Sequence, residues 1–394
     1  MGRNHASPRL AWVNNIPTRY RIHLFDVITE EARQRGWRFE SMFMAGVMAN
    51  RSFHNDLPPS RHPYRVFEPW RYRTAGGYGY LNPALIRELV WQPPELLIVS
   101  GWSDVTAMML LSAMPLLCPR TRVCVWLEAN SYSTKHTRGP IHELRRLLLR
   151  RADALIVPGR MAEMTIADQW AVHHAQMIRL PNLVDEELYG ARAKDLRARR
   201  NVIRSRMNIS DSDIVLLTNG RLEERHKGLM LFVSHVRHHW PERVILLAAG
   251  TGPDEDRTRN WLIQNGLNEK VRLLGQLKAE NVVECLAASD AFVLPSVDDP
   301  NPLAVIEAAW AGLPLLVSSR CGNAEETVRP GVNGWTFDPY SGDEVRQALR
   351  QVTSRDRTEL EVVGRRSEEI AKSGFSSRQA VLHFLDQIGV VNRL

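Results

Sequence analysis

The sequence predicts an α/β protein of two domains, each built on a doubly wound parallel sheet. One observation is the length: 394 residues, 44% of them hydrophobic, exceed what a single hydrophobic core usually holds. Another is the order of the elements, because short apolar runs alternate with helical patterns along most of the chain. A third is a polar, basic segment, Ile178–Met207, which shows little strand pattern and separates the two alternating halves.

In the first half, the run that follows the first predicted strand has helical spacing and ends at Gly36. The segment Arg51–Tyr80 is different, because Pro, Gly, Tyr, Trp and Arg are frequent there and periodicity is weak. It is predicted to be a long loop, which is either functional or a surface excursion without a special role. The strands predicted in this half are RLAWVNN, RFESMFMAG, ELLIVSG, RVCVWLEAN and ALIVPG.

The second half repeats the alternation, and helices of about ten to fifteen residues between strands favour a parallel sheet. We place the domain joint near Pro181–Glu187, where the strand pattern is lost. The basic run Ala191–Met207 is predicted to be an exposed helix that leads into the second sheet. The strands predicted here are DIVLLTNG, RVILLAAG, KVRLLGQ, AFVLPS and PLLVSS.

The chain is basic, with a formal net charge of +7. Such a surface favours anionic partners: nucleic acid, acidic lipid or phosphorylated substrates. The excess is concentrated in Arg138–Arg151 and Ala191–Met207. A nucleic-acid-binding protein would show a known module, or basic and aromatic residues interleaved along one element, and the sequence shows neither. Nucleic acid is therefore not an expected partner.

The cysteines and acidic triplets give no sign of a metal site. The four cysteines have no paired spacing, which indicates apolar residues in a reducing compartment. The triplet Asp211–Asp213 precedes a predicted strand and is interpreted as turn residues. We therefore expect neither a metal nor another cofactor. No apolar run approaches the roughly 18 residues of a membrane span, and the start of the sequence lacks a signal-like core, so the expected location is the cytoplasm.

The stretch SVDDPNPLAVIEAAWAGLPLLVSS contains a predicted helix start. Asn301 is a suitable N-cap, Pro302 fits the first helical position, and Gly312 marks the end. The first turn then presents the free backbone amides of Leu303 and Ala304. Because this helix follows a strand of a parallel sheet, its N-terminus lies where such sheets bind ligands and is suited to a phosphate.

Two carboxylates flank that helix start, Asp299 in the preceding loop and Glu307 inside the helix. Carboxylates accept hydrogen bonds from hydroxyl groups, whereas the amides between them favour an anion. A ligand with an anionic centre and hydroxyls on both sides fits this order, and a sugar nucleotide has that layout. The alternative is that Asp299 is a turn residue and Glu307 a solvated helix residue.

Other predicted strand ends in the second half carry residues suited to the same ligand. Arg221 and Lys227 follow the strand DIVLLT and are close enough in sequence to converge on a diphosphate, unless this is a generic basic loop. Gly252 permits close approach of the backbone to a ligand. Gly275 and Gln276 end a further strand, where a flat base can stack on exposed backbone.

Together these motifs resemble the donor domain of the family 4 glycosyltransferases, which have the GT-B fold: two doubly wound Rossmann-like domains facing a central cleft. The resemblance is dense over Asp213–Asp338 and looser in the first half, in NNIPTRYRIHLFDVI and LRRLLLRRADALIVPG. It implies an acceptor domain over 1–184, a donor domain over 185–376 and a C-terminal helix over 377–394 that crosses back to the first domain. The motifs that carry it are NGRLEERHKG, GTGP, VRLLG, SDAFVLPSVDDPNPLAVIEAAWAGLPLLVS, GNAEETV and GVNGWTFDP.

The resemblance implies a retaining glycosyltransferase that uses a nucleotide-sugar donor. The paired glutamates of the family fall on Asp299 and Glu307, so the first carboxylate is one methylene shorter here. Asp299 is expected to hold hydroxyls of the sugar and Glu307 those of the ribose. The family's Arg and Lys fall on Arg221 and Lys227, which would hold the diphosphate together with the amides of the helix. Asn14 and Asn15 stand where the family commonly has glycines. The further donor-binding residues expected are Asn301, Leu303, Ala304, Gly252, Gly275, Gln276 and Asn15.

On the acceptor side, Glu128 is expected either to orient or deprotonate the acceptor or to have a structural role, which makes Asp299, Arg221, Lys227 and Glu128 the predicted catalytic residues. Arg19, Trp70 and Tyr78 are the acceptor candidates. The basic helix around Arg145–Arg151 has two interpretations: attachment to an anionic membrane face, with a lipid-linked acceptor, or an ordinary amphipathic helix packed on its sheet.

The expected partners are thus a nucleotide-sugar donor, a glycan, lipid-linked or small-molecule acceptor, and the inner face of the cell membrane as a peripheral contact. The rival functions are a sugar-nucleotide epimerase or a phosphorylase on the same fold, and a non-catalytic relative that binds sugar nucleotides.

Overall fold

The computed structural model describes residues 7–46, 57–74, 77–102, 104–132, 138–173 and 177–390. The chain forms two compact units, one of residues 1–182 with 377–394 and one of residues 183–376. The division lies two residues before the boundary expected at 184/185. Residues 377–390 pack in the first unit.

The first unit is built on a seven-stranded parallel sheet of order β3-β2-β1-β6-β7-β8-β9. Its central strands are buried apolar runs, as expected for a parallel sheet covered on both faces. The order reverses between β1 and β6, and ligands of such sheets bind outside the carboxyl ends of the strands near that point. The strands are β1 Arg9–Asn14, β2 Arg38–Phe43, β3 Tyr64–Val66, β6 Leu96–Ser100, β7 Arg122–Trp126, β8 Ala154–Val157 and β9 Met177–Arg179, and a separate hairpin pairs β4 Trp70–Thr74 with β5 Gly77–Leu81.

A layer of aromatic side chains fixes the N-terminal helix on this sheet. The Trp12 ring lies 5.2 Å from Phe25 and 6.1 Å from Phe384, centroid to centroid. Burial of each such ring stabilises the unit by about 1.5–3 kcal/mol, so the C-terminal helix is held firmly against the first one. The helices of this unit are α1 Arg19–Gln34, α2 Pro83–Trp91, α3 Val105–Leu117, α4 Pro140–Arg151, α5 Arg160–Trp170 and α16 Ser377–Gln387.

The second unit has a six-stranded parallel sheet of order β12-β11-β10-β13-β14-β15. Its strands are β10 Ile214–Asn219, β11 Val244–Ala249, β12 Val271–Gly275, β13 Ala291–Leu294, β14 Leu315–Ser318 and β15 Gly334–Phe337. Its α-helices are α6 Ala193–Arg197, α7 Arg200–Arg206, α8 Glu224–Lys227, α9 Leu229–Val236, α10 Glu255–Gln264, α11 Ala279–Ala288, α12 Leu303–Trp310, α13 Ala324–Thr327, α14 Gly342–Thr353 and α15 Arg357–Gly374.

Every strand predicted from the sequence is present within one to four residues of its predicted end. The long loop predicted over Arg51–Tyr80 is wrong for the described part of that segment, which contains β3, β4 and most of β5. Aromatic residues alternate with arginine in β4 and with glycine in β5, which is the period of a strand, but both runs are short and the glycines of β5 weaken the pattern. Arg51–Asp56 and Ala75–Gly76 lie outside the described residues.

The basic run Ala191–Met207 is helical, as predicted, but it is not one continuous exposed helix. The chain there forms a π-helix, Glu187–Arg192, followed by α6 and α7. Arg200 and Arg204 are buried and bind the carboxylate of Asp290 just before β13, with Arg204 Nη2 2.6 Å from Asp290 Oδ2. Buried charges require such partners, so these two arginines anchor α7 to the sheet and do not contribute to a basic surface.

Two further sequence predictions can be compared with the described residues. All four cysteines are buried and unbonded, as expected of apolar residues. Across the described ranges, each helix is either too short or too polar to cross a membrane.

Candidate functional site

Two loops of the second unit meet at the carboxyl edge of its sheet. The loop that begins at Gly220 follows β10 and ends in the short helix α8, and the loop from Pro295 to Pro302 follows β13. Because β10 and β13 are neighbouring parallel strands, both loops leave the sheet on the same side. The amide of Val297 donates to the carbonyl of His226 at 2.9 Å, which ties one loop to the other.

The two predicted catalytic groups of these loops bind each other. The Lys227 ammonium donates to Asp299 Oδ2, and the carboxylate side chain is only 10% exposed. Burial of the Lys227 amine opposes its charge, but the attraction of Asp299 outweighs this and raises the pKa of Lys227. The lysine therefore stays a cation at neutral pH. Its stem passes 3.9 Å from the position of a Cβ atom at Gly220, so it lies along the end of β10.

The backbone around Asp299 is held by a close crossing. The amide of Gly322 donates to the Asp299 carbonyl at 2.8 Å. A Cβ atom on Gly322 would lie 1.8 Å from the Pro300 carbonyl oxygen, so only glycine fits there. His226 Nδ1 and Asp298 Oδ2, 2.9 Å apart, form a second pair beside the first. Asp299 is thus fixed from several sides and is not a mere turn residue.

Helix α12 begins at Leu303, so Leu303 and Ala304 form its first turn as predicted. The N-cap prediction is wrong: Pro302 occupies the cap position with extended backbone, and no side-chain cap bond forms. The helix starts one residue later than the Asn-Pro pattern indicates, so Asn301 precedes the cap position. Asn301 is instead buried in the loop.

Glu307 lies one turn into α12, partly buried, and accepts a hydrogen bond from Asn219 Nδ2 at 3.3 Å. Since Asn219 ends β10, this contact joins the helix to the strand that carries the cationic loop. The alternative of a solvated helix residue is therefore wrong. Lys227, Asp299 and Glu307 are all placed at this edge by neighbouring elements.

Arg221 is placed differently. Its side chain is 43% exposed and pairs with Glu223 at 3.4 Å, Nη1 to Oε2. Gly252 permits a close approach of two backbone segments of the protein, not of a ligand: a Cβ atom at Gly252 would lie 2.2 Å from the Leu222 carbonyl oxygen. Gly275 ends β12, and Gln276 beside it lies 3.4 Å from the Thr251 hydroxyl. These residues form the flank of the same sheet edge.

The first unit gathers a second polar cluster at the carboxyl edge of its own sheet. Glu128, just after β7, accepts a hydrogen bond from Asn182 Nδ2 at 2.9 Å. Glu128 Oε1 also lies 3.5 Å from Nη2 of Arg21, in the first turn of α1. Sequence reasoning did not single out Arg21 and Asn182, because both are far from Glu128 along the chain.

The remaining first-unit predictions are spread over several elements. Arg19 opens α1 and is partly buried. The carbonyl of Asn15, after β1, accepts from the Ala45 amide at 2.9 Å, and its backbone is not left-handed, so Asn stands unstrained where the family has glycine. Trp70 is 68% exposed in the β4–β5 hairpin, a sheet separate from the main one. Tyr78 lies in β5, and its side chain is outside the described part of the structure.

The Asp211–Asp213 triplet forms a turn, in which Asp213 Oδ2 accepts from the Ser210 amide at 3.0 Å. Its interpretation as turn residues is confirmed. Among the described residues, no three His, Cys, Asp or Glu side chains are grouped so that they could hold a metal ion.

Comparison with known protein families gives a match over most of the second unit. Residues 199–369 match the family model described as glycosyl transferases group 1. The chain is 26% identical over 300 residues to sulfoquinovosyl transferase SQD2 of Arabidopsis thaliana, covering 73% of this chain and 55% of that protein. It is 29% identical over 136 residues to UDP-Gal:alpha-D-GlcNAc-diphosphoundecaprenol alpha-1,3-galactosyltransferase of Escherichia coli, 34% of each chain. The chain spans 26% to 55% of the length of such curated relatives.

Solved structures agree on the fold. The crystal structure of Anabaena Alr3699/HepE in complex with UDP and glucose matches with a TM-score of 0.76 and 17% identity, covering 98% of this chain and all of that chain. Two parallel α/β units of this kind define the GT-B glycosyltransferase fold, as predicted. The match of residues 199–369 to the glycosyl transferases of group 1 agrees with the family resemblance of the sequence.

Proposed function

We propose that this protein is a retaining glycosyltransferase that moves a hexosyl group from a nucleoside diphosphate sugar to a hydroxyl of its acceptor. The observation that supports this most is the Lys227–Asp299 ion pair in front of α12, with Glu307 on the same helix. A cation, a helix N-terminus and two carboxylates there suit a ligand whose diphosphate lies between hydroxyl groups.

In this arrangement the amides of Leu303 and Ala304 and the Lys227 ammonium bind the diphosphate, and Arg221 approaches from the exposed side. Glu307 accepts hydrogen bonds from the ribose. When the diphosphate neutralises Lys227, Asp299 becomes available to accept hydrogen bonds from the sugar. The two members of the ion pair thus have different partners in the donor complex.

The reaction breaks the bond between the anomeric carbon and the β-phosphate oxygen and forms a bond from the same carbon to the acceptor oxygen on the same face. The acceptor proton passes to the departing diphosphate, while Glu128 aligns the acceptor hydroxyl. Negative charge grows on the leaving oxygen, so cations there stabilise the transition state more than the bound donor. One such contact contributes about 3 kcal/mol to lowering the barrier. The proposed reaction uses no metal or other cofactor.

The proposal includes a lipid-linked acceptor at an anionic membrane surface on the cytoplasmic side. Ile141, Leu144 and Leu147 are each 44–49% exposed on α4, whereas Leu148 and Leu149 pack in the core. A helix with exposed aliphatic residues and the exposed arginines at its end suits an anionic bilayer. The Escherichia coli relative is named for a diphosphoundecaprenol-linked acceptor. In sedimentation with phosphatidylglycerol vesicles, the wild type should be found in the vesicle pellet and the variant Leu144→Ser/Leu147→Ser in the supernatant. Equal binding of the wild type to phosphatidylcholine vesicles would contradict the role of the anionic lipid.

The experiment on the reaction incubates the protein with UDP, GDP and ADP hexoses in the presence of EDTA. We expect one donor to raise the melting temperature, and nucleotide release to increase with a polyprenyl or glycan acceptor. Proton NMR of the product should show the anomeric configuration of the donor. Lys227→Ala should abolish release. A product with inverted anomeric configuration would contradict retention. A product isomeric with the donor would indicate an epimerase, and nucleotide release that depends on phosphate would indicate a phosphorylase. Donor binding without turnover would indicate a non-catalytic relative.

A further inference from the structure

Arg21 is a buried arginine whose charge has few partners. Only 4% of its surface is exposed, in the first turn of α1. Its guanidinium carbon lies 4.4 Å from the ring centroid of Trp126 and 4.9 Å from that of Tyr20. Contacts with two aromatic rings restrict the orientation of the guanidinium plane.

The hydrogen bonds of this guanidinium are incomplete. Within the described residues, Nε and Nη1 are buried without a hydrogen-bond partner. Such a buried cation destabilises a fold unless the charge has a use, because water has been removed and not fully replaced. Nε and Nη1 are not exposed to solvent, so a ligand in solution cannot bind to them. The effect of the charge is therefore directed at Glu128, the carboxylate that Nη2 approaches to 3.5 Å.

The two oxygens of Glu128 have different surroundings. Oε1 receives the Asn182 amide at 2.9 Å and faces Arg21. Oε2 has no hydrogen-bond partner in the described ranges, and the side chain is 31% exposed. One oxygen is thus fixed by two groups while the other is available. An oriented carboxylate oxygen can accept a hydrogen bond from a hydroxyl and hold it in a reactive direction.

We propose that Arg21, together with Asn182, is a positioning residue that fixes the Glu128 carboxylate so that its second oxygen receives the acceptor hydroxyl. This rests on the proposed function. Trp126 and Tyr20 hold Arg21, Arg21 holds Glu128, and Glu128 alone contacts the acceptor. The three polar residues come from the first turn of α1, the loop after β7 and the segment after β9, all at one edge of the first sheet.

The test compares Arg21→Met, Arg21→Lys, Glu128→Gln and the double variant Arg21→Met/Glu128→Gln. The matched control is Arg35→Met, which removes another ion-paired arginine next to α1 without contacting Glu128. We expect Arg21→Met to lower kcat for transfer about 100-fold, the scale of a misplaced catalytic group. The donor KM and the donor-induced rise in melting temperature should stay at the wild-type values. Arg21→Lys keeps the charge without the planar stacking and should recover part of kcat.

The double variant decides whether Arg21 acts through Glu128. If it does, Arg21→Met causes no further loss once Glu128 is Gln. Multiplied losses in the double variant, a changed donor KM, or a kcat equal to that of Arg35→Met would each overturn the inference. If Arg21→Met does not fold, Arg21→Lys carries the same comparison alone and in the Glu128→Gln background. A wild type that turns over no donor would instead refute the proposed function.

Discussion

Breaking the Lys227–Asp299 pair gives a prediction whose size follows from the structure. Two unit charges about 4 Å apart attract by about 4 kcal/mol at an effective dielectric constant of about 20. The Lys227 side chain is 29% exposed, so water compensates part of this when Asp299→Asn removes the negative charge. We expect Asp299→Asn to lower the free energy of unfolding by about 2 kcal/mol.

Removing the cation should be worse. Lys227→Met leaves a carboxylate that is only 10% exposed without its ammonium, and we expect a loss of about 3 kcal/mol. The double variant Lys227→Met/Asp299→Asn leaves no isolated charge, so its loss should be smaller than the sum of the single losses. The difference, a coupling energy of about 2 to 3 kcal/mol, measures the pair itself.

The assay is urea-induced unfolding of the full chain followed by tryptophan fluorescence, in the absence of nucleotide. The matched control is Glu223→Gln, which breaks the exposed Arg221–Glu223 pair in the same loop and should change stability by less than about 0.5 kcal/mol. Additive single losses, or a loss from Asp299→Asn no larger than that control, would refute the reasoning that a buried, coupled pair occupies this edge of the sheet.

Further predictions concern thiols, packing and a buried charge. All four cysteines are buried, and burial raises the pKa of Cys124 to about 12. Ellman's reagent at pH 8 should therefore detect no fast-reacting thiol in the native protein and four in denaturant. A fast-reacting thiol in the native protein would contradict this. Gly252→Ala should lower the melting temperature, since its Cβ atom meets a carbonyl oxygen, whereas Gly374→Ala has open space and should not. In urea unfolding, Asp290→Asn should lower the free energy of unfolding by about 3–5 kcal/mol, because it breaks a buried ion pair. Asp343→Asn, at an exposed pair, should lower it by less than about 0.5 kcal/mol.

The sequence predicted the sheets well because buried parallel strands are continuous apolar runs, and such runs are visible without any knowledge of contacts. It also placed Asp299, Lys227 and Glu307 near strand ends, since parallel strands of a doubly wound sheet end at a common edge. It did not show that Lys227 and Asp299 pair with each other, because a pairing between residues 72 positions apart depends on the neighbouring loops.

Other features were hidden for particular physical reasons. Arg200 and Arg204 look like surface residues in a basic run, and only the three-dimensional position of Asp290 makes them core residues. Trp70 lies in a five-residue strand whose partner, β5, contains two glycines, so the strand pattern of this hairpin is short and weak. The sequence does not distinguish Arg21 from an exposed arginine of a helix, because its burial against Trp126 depends on how the first unit packs.

The return of residues 377–390 to the first unit has a consequence for how the chain matures on the ribosome. The pocket for Phe384 is formed by Trp12 and its neighbours, among the earliest residues translated, yet Phe384 emerges only after the whole second unit. Until residues 377–390 are translated, the N-terminal part of the first unit exposes an apolar surface and is at risk of aggregation. A chain cut at residue 376 would keep that surface bare permanently, whereas a circular permutant that joins the tail to the front would close it early.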